Sequence, residues 1–326
     1  MLKIGLIGCG FMGTMHANCY KNIPGVELVA LADIRENCAK TLAAGTNAVI
    51  YADGKDLIAM ADVDVIDICL PTYLHAEYAM LAMEKAKYVF VEKPVALTDS
   101  QADAMLEKAA KTGCQVQVGQ VIRFWDEYVK LREIVESGIY GKVINANFRR
   151  ISPRPTWGWQ DWLLDTQLSG GAAQDLHIHD MDYALSLFGK PKAMHTVKNR
   201  LGEPNSYIHS LLQYDDHVVT VEGTWDLPGS HPFEATFRVV FENAVVENAG
   251  GKLMCYTNDG AEQIVIEKAE VIGEGFAGGN ISDLGGYFNE LLYFTERAKN
   301  GDKIQMATLA QGTESLKFVL EEIANA

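Results

Sequence analysis

Through the first third of the chain, short apolar runs alternate with stretches in which apolar residues return every three or four positions. The runs at 3–7, 27–32, 64–70, 88–91 and 115–119 read as strands, and the periodic stretches predict helices near 12–22, 35–43, 54–60, 75–86 and 99–112. The run at 88–91 is wholly β-branched or aromatic, the pattern of a strand buried on both faces. Strand and helix taking turns in this way demands a parallel sheet covered on both sides. After Gln120 the period changes. A helix near 126–137 precedes short runs at 142–151, 194–200, 207–214, 218–227, 235–241, 244–247, 253–256 and 263–266, joined by tight links such as Tyr214-Asp215-Asp216-His217 and Glu242-Asn243. That rhythm predicts a large, mainly antiparallel open sheet. Residues 172–188 read as a helix stopped by Gly189, and 282–300 and 306–325 as closing helices. Two domains are expected, 1–121 and 122–326, tightly joined because no low-complexity linker or repeat separates them.

The first strand runs straight into Gly8-Cys9-Gly10-Phe11-Met12-Gly13 and then into a helical pattern. Gly8 permits the tight turn, Gly10 lets the backbone approach a pyrophosphate, and Gly13 lets the helix pack on the strand. N–H groups at the start of that helix, with its dipole, would hold the phosphates. The next strand ends on Asp33, about twenty residues past Gly13, where an acid accepts hydrogen bonds from the adenosine ribose hydroxyls. This is the layout of an α/β Rossmann domain for a dinucleotide. Asp33 favours NAD, since its charge repels a 2′-phosphate, and Arg35 beside it keeps NADP as the lesser alternative. S-adenosylmethionine shares the geometry and is a minor rival.

The strand at 88–91 delivers Glu92, Lys93 and Pro94 to its carboxyl end, the edge where open parallel sheets bind ligands. Pro94 fixes the backbone after Lys93, and a cis bond there is one way to aim the lysine. The strand at 64–70 likewise ends on Pro71-Thr72, with His75 opening the next helix. Farther on, Asp175 and His179 are four apart in the 172–188 helix, which would stack them on one face. A carboxylate beside an imidazole is a proton-transfer pair. Alternatively, Asp175 is a favourable first-turn acid and His179 a satisfied core histidine. His177 and His179 point to different sides of a helix, so no shared metal is expected.

On Gly8-Cys9-Gly10-Phe11-Met12-Gly13, Leu70-Pro71-Thr72-Tyr73-Leu74-His75, Glu92-Lys93-Pro94, and Gly170-Gly171 leading to Asp175-Leu-His-Ile-His179-Asp180, the chain resembles the Gfo/Idh/MocA family. This is the glucose–fructose oxidoreductase and inositol dehydrogenase group, and the resemblance covers nearly the whole chain. It implies NAD(P)-dependent oxidation of a secondary alcohol on a sugar or cyclitol, or the reverse reduction. It makes Lys93, Asp175 and His179 the catalytic trio, and places Pro71, Thr72, His75, Glu92, Lys93 and Gln120 near the cofactor, beside Gly8, Gly10, Phe11, Met12, Gly13 and Asp33. One branch of the family hydrolyses glycosides through transient oxidation, but its usual motif around the histidine differs from the one here. A sensor that binds dinucleotide without catalysis is the rival from another class.

Composition narrows the partners. Lys plus Arg total 28 against 43 Asp plus Glu, a net charge of −15, which disfavours nucleic acid and anionic membrane. No apolar run approaches a membrane span, and the leading apolar segment is too short and too early for a signal peptide. The six cysteines lack paired spacing and read as the reduced thiols of a cytoplasmic protein. Between Ser152 and Ser169 lie Trp157, Trp159 and Trp162, whose faces suit the C–H face of a sugar ring. Trp162, Arg123, Lys93, Asp175 and His179 are the expected substrate contacts. Arg149, Arg150 and Arg154 are further candidates for an anionic substrate, although only one of the adjacent pair can face a given side. The expected substrate is a small polyhydroxylated molecule. An apolar open face on the second sheet would need covering, which favours a homodimer or homotetramer.

Overall fold

The structure, a computed structural model, describes residues 1–198, 205–249, 251–266 and 284–326. The chain begins β1 (Leu2–Ile7), α1 (Phe11–Asn22), β2 (Val26–Ala32), α2 (Glu36–Ala43), β3 (Val49–Tyr51), α3 (Gly54–Met60), β4 (Val65–Ile68), α4 (Thr72–Lys85), β5 (Tyr88–Val91), α5 (Asp99–Thr112) and β6 (Gln115–Val118). It continues with α6 (Asp126–Ser137), β7 (Val143–Pro153), a one-turn α7 (Thr166–Ser169), and α8 (Ile178–Phe188). The rest is β8 (Ala193–Lys198), β9 (Tyr207–Gln213), β10 (Val218–Leu227), β11 (Glu234–Phe241), β12 (Val245–Ala249), β13 (Lys252–Thr257), β14 (Gly260–Gln263), α9 (Gly285–Asn300) and α10 (Leu309–Asn325).

Two compact units result: Met1–Phe124 with Ala269–Glu314, and Trp125–Lys268 with Ser315–Ala326. The described part of the closing segment up to Glu314, expected with the second domain, therefore goes with the first unit. α9 packs there on α1.

The first unit holds a six-stranded sheet among the described residues, in the order β3-β2-β1-β4-β5-β6, with every pairing parallel. Its middle is mostly apolar: Ile4, Leu6, Leu31, Val65, Ile66, Val89, Phe90 and Val91 are all buried. The three-residue edge strand β3 was not foreseen, because so short a piece shows no alternation. Residues 306–308 are not helical as expected. Val118 N–H donates to the Ala307 carbonyl and Gln117 bridges Thr308, so this stretch extends the β6 edge before α10 begins.

The second unit holds an eight-stranded sheet among the described residues, in the order β14-β13-β12-β11-β7-β10-β9-β8, antiparallel except for the β7–β10 pair. Its core is aromatic. Tyr128 meets Tyr183 and Phe237 edge-on at 4.9 and 5.1 Å, and Phe148 meets Tyr183 at 5.7 Å. The last strand is Gly260–Gln263 rather than 263–266, because Asn258-Asp259 makes a two-residue hairpin that pairs Thr257 with Gly260. Of the run expected at 194–200, Asn199 and Arg200 lie outside the described residues, as do the first two positions of the run expected at 282–300.

Candidate active site

The glycine loop is built as its spacing requires. Gly8 has φ +94°, and a Cβ there would lie 2.5 Å from the Cys69 carbonyl oxygen; one on Gly13 would lie 1.8 Å from the Gly8 oxygen. Only glycine fits at either place. Phe11 and Met12 form the half-buried first turn of α1, which no side chain caps. Asp33 is buried, and it ties the loop to β2. Its Oδ2 accepts from Cys9 N–H at 2.8 Å and its Oδ1 from Arg35 N–H at 2.7 Å. The Arg35 guanidinium folds back on the same carboxylate, with Nε and Nη2 each 3.3 Å away. These residues fit a dinucleotide: an uncapped helix start, a backbone without side chains at the turn, and an acid at the end of β2.

Pro71, Thr72, Glu92 and Gln120 end β4, β5 and β6 at the carboxyl edge of the same sheet. The Thr72 hydroxyl and both amide atoms of Gln120 are buried without a hydrogen-bond partner among the described residues. Buried polar atoms of this kind are costly unless something satisfies them, and a ligand at this edge would. The Lys93–Pro94 bond is cis, and Lys93 is half-buried. His75, expected near the cofactor, also holds the backbone together. It is buried with both ring nitrogens 2.7 Å from carbonyl oxygens, those of Pro94 and Leu70, so the ring clamps the end of β4 to the loop after β5. Burial lowers its pKa against the pull of those carbonyls. Arg123 is buried in a short 3₁₀ turn, and its Nη1 donates to Gln311 Oε1 at 3.2 Å.

In the second unit, the helix expected over 172–188 begins as a π-helical turn, Ala173–His177, before α8. Asp175 lies in the π turn and His179 in the α-helix, and both are half-buried. His177 points the other way. It is fully buried, with Nε2 3.3 Å from Glu322 of α10, and a Cβ on Gly223 would lie 2.6 Å from its own Cβ. Ser210 also donates to Glu322. Asp180 is structural: buried Arg150 grips it with Nε at 2.6 Å and Nη2 at 3.3 Å. Arg150 is thereby removed as an anion contact. Arg149 faces the opposite side of β7, between Glu222 and Glu234 at 3.1 Å each. Trp162 is partly buried against Leu163, Ala172 and Trp225, whereas Trp157 is 50% exposed.

Sequence reasoning missed His16, Asp67, Tyr20 and Cys69, a buried polar cluster under β4. The signal was available: a charge inside the apolar run of β4 needs a partner. His16, Asp67 and Cys69 are also the one group among the described residues whose ligand atoms cluster closely enough to hold a metal ion.

A parallel sheet with an acid-tipped glycine loop, joined to an open mixed sheet, defines a two-unit nucleotide-binding oxidoreductase architecture. Residues 2–120 match the oxidoreductase family GFO_IDH_MocA with an NAD-binding Rossmann fold, and residues 128–247 match the GFO/IDH/MocA C-terminal domain. The chain belongs to this family and carries its NAD-binding fold. It is 33% identical over 192 residues to a myo-inositol 2-dehydrogenase of Thermotoga maritima, covering 58% of this chain and 55% of that protein. It is 31% identical over 192 residues to a D-glucoside 3-dehydrogenase of Escherichia coli, with the same two shares, 58% and 55%. The chain thus spans about half the length of the relatives it matches. A crystal structure of an oxidoreductase from Agrobacterium radiobacter in complex with NAD+, L-tartaric acid and magnesium superposes with TM-score 0.83 at 20% identity, covering 99% of this chain and 96% of that one. That likeness shows the fold. Among the described residues, no helix is long and apolar enough to cross a membrane.

Proposed function

We propose that this protein is an NAD-dependent dehydrogenase acting on a secondary alcohol or ketone of a sugar, cyclitol or sugar derivative. The observation that carries this reading is the carboxyl edge of the parallel sheet. There the glycine loop, Asp33, the unsatisfied Thr72 and Gln120 side chains, and the Glu92-Lys93-Pro94 corner occupy one edge of one unit. The names of the relatives point to inositol and glucoside alcohols as substrates.

Bound NAD supplies the hydride acceptor. The role we assign to His179 is that of base toward the reacting hydroxyl, and to Lys93 that of a hydrogen-bond donor to a substrate oxygen that gains negative charge. Electrostatic stabilisation of this kind is commonly worth ~3–4 kcal/mol. Asp175 orients the substrate or the His179 ring. Trp162 offers an apolar face to the ring carbons, and Arg123 a charge for an anionic substituent. Absorbance at 340 nm with NAD and a panel of inositols, sugars and glycosides tests the reading. Tight NAD binding with no reduction on any of them would favour the dinucleotide sensor instead.

We further propose that the outer face of the eight-stranded sheet is a self-association surface. Val197, Tyr207 and Leu211 lie exposed on adjacent strands β8 and β9, beside Thr220 and Glu222 of β10. Light scattering on the purified protein should report a dimer or tetramer, and Leu211→Glu should shift it toward monomer; a wild-type monomer would overturn this.

A further inference from the structure

Asp67 is fully buried in β4, a strand whose other residues are Val65, Ile66 and Ile68. A lone charge there would cost several kcal/mol. His16 of α1, also fully buried, lies against it with Nδ1 2.8 Å from Asp67 Oδ2. Tyr20 O–H donates to the same oxygen at 2.7 Å, and Cys69 Sγ sits 3.2 Å from the ring nitrogen. On the far side of the ring, Nε2 is 3.0 Å from Glu92 Oε1. This is a close approach rather than an in-line hydrogen bond, and neither atom has a hydrogen-bond partner among the described residues. The other Glu92 oxygen accepts from Lys93 N–H at 3.1 Å. A Cβ on Gly119 would lie 2.9 Å from that oxygen, so the carboxylate rests on a glycine where any side chain would displace it.

Both ring nitrogens therefore face carboxylate oxygens. A neutral imidazole would aim its lone pair at one of the two anions, whereas an imidazolium has no lone pair to aim. We infer that His16 is held as an imidazolium between Asp67 and Glu92, and that it is the positioning residue that keeps Glu92 fixed against the Lys93 backbone. The positioning role rests on Lys93 being a reacting group; the charge state does not.

Burial opposes the proton, but Asp67 and Cys69 outweigh it and raise the His16 pKa well above the usual histidine value. The groups facing it are Tyr20 on its own helix, Asp67 and Cys69 on β4, Glu92 after β5, and Tyr287 on α9, with Glu290 of α9 acting on the neighbouring Cys19. A metal ion held by His16, Asp67 and Cys69 would have to displace the hydrogen bonds of 2.8 and 2.7 Å that converge on Asp67. The atoms are arranged for protons.

The test uses the full chain carrying ¹⁵N-labelled histidine, with no substrate. One histidine should retain protons on both ring nitrogens at pH 8, and its signals should vanish in His16→Gln. If that variant fails to fold, Glu92→Gln makes the assignment by shifting the same resonance and moving its proton loss to lower pH. A single neutral tautomer for His16 at pH 7 overturns the inference. So does a stoichiometric bound metal whose removal changes the ring's protonation. In the 340 nm assay, His16→Gln should lower kcat about 10- to 100-fold and displace the pH–rate profile, with NAD Kd within a few-fold. Gly119→Ala, which pushes Glu92 without touching the ring, should give a similar loss. Wild-type kcat with an unmoved profile removes the positioning role and leaves the Lys93 reading intact. A wild-type protein inactive on every polyol overturns that role together with the reading beneath it, while the nitrogen spectrum still decides the charge of His16.

Discussion

Replacing Asp33 by Ser should reverse the preference between NAD and NADP, and its size can be worked from the contacts at the end of β2. Asp33 spends one oxygen on Cys9 N–H at 2.8 Å and the other on Arg35 N–H at 2.7 Å, so its carboxylate is held in place before any cofactor arrives. A ribose hydroxyl bonding to such a fixed charge gains roughly 1.5–3 kcal/mol. At about 1.4 kcal/mol per tenfold, losing it weakens NAD roughly 10- to 150-fold. The same substitution frees the Arg35 guanidinium, which now lies 3.3 Å from both carboxylate oxygens. A 2′-phosphate then loses a repelling neighbour and gains a charge-assisted donor of similar strength. The ratio of the two dissociation constants should therefore move by about two to four orders of magnitude. Serine is chosen over alanine because it still offers Cys9 N–H an acceptor.

Calorimetric titration of the purified chain with each cofactor measures the ratio directly. The double variant Asp33→Ser/Arg35→Ala separates the two causes: NAD should stay weak while the gain for NADP largely disappears. A ratio within threefold of wild type in the single variant would refute the reasoning, because neither the ribose contact nor the release of Arg35 could then be real.

Other expectations are as direct. Lys93→Ala should lower turnover by about 10²- to 10⁴-fold with NAD affinity within a few-fold, and wild-type turnover would remove Lys93 from the chemistry. Asp180→Asn strips the buried Arg150 of its charge partner and should cost about 3–5 kcal/mol in urea unfolding; a change under 1 kcal/mol would show that the pair is solvated. Burial pushes the Cys9, Cys19 and Cys114 thiols up to about 12, and Cys69 well above its usual value, so a thiol reagent on native protein at pH 8 should react quickly with half-buried Cys38 alone. Rapid loss of four or more thiols would contradict this. His16, Tyr20 and Cys69 are all raised, which means that the folded state holds their protons more tightly. Their contribution to stability is complete below the ordinary histidine value and is lost as pH climbs through the raised ones. The urea midpoint should fall between pH 7 and 10, and fall less in His16→Gln; parallel curves would refute the linkage.

Much of the parallel sheet was legible because its strands are largely apolar and several end on a chemically unusual residue. Asp33, Glu92 and Lys93 stand at strand ends, where local pattern alone locates them. His75 was equally conspicuous, yet it also clamps two backbone carbonyls, a job that depends on the carbonyl of Pro94 nineteen positions away. The same limit hid His16, whose partner Asp67 lies 51 residues on, and His177, whose partner Glu322 lies 145 residues on.

Periodicity fails differently in Asp175-Leu-His-Ile-His179. A stretch of apolar and polar positions reads the same whether the backbone bonds four or five residues back, so the π turn at Ala173–His177 leaves no mark on the pattern. Here His177 is drawn fully into the core, against Gly223 and Glu322, while Asp175 and His179 stay half-buried. Gly223 is the residue that permits this, since a side chain there would collide with the histidine. The burial of His177, which lies between the two residues of the proposed acid–base pair, thus depends on a glycine on a distant strand. A reading confined to the motif itself has no access to it.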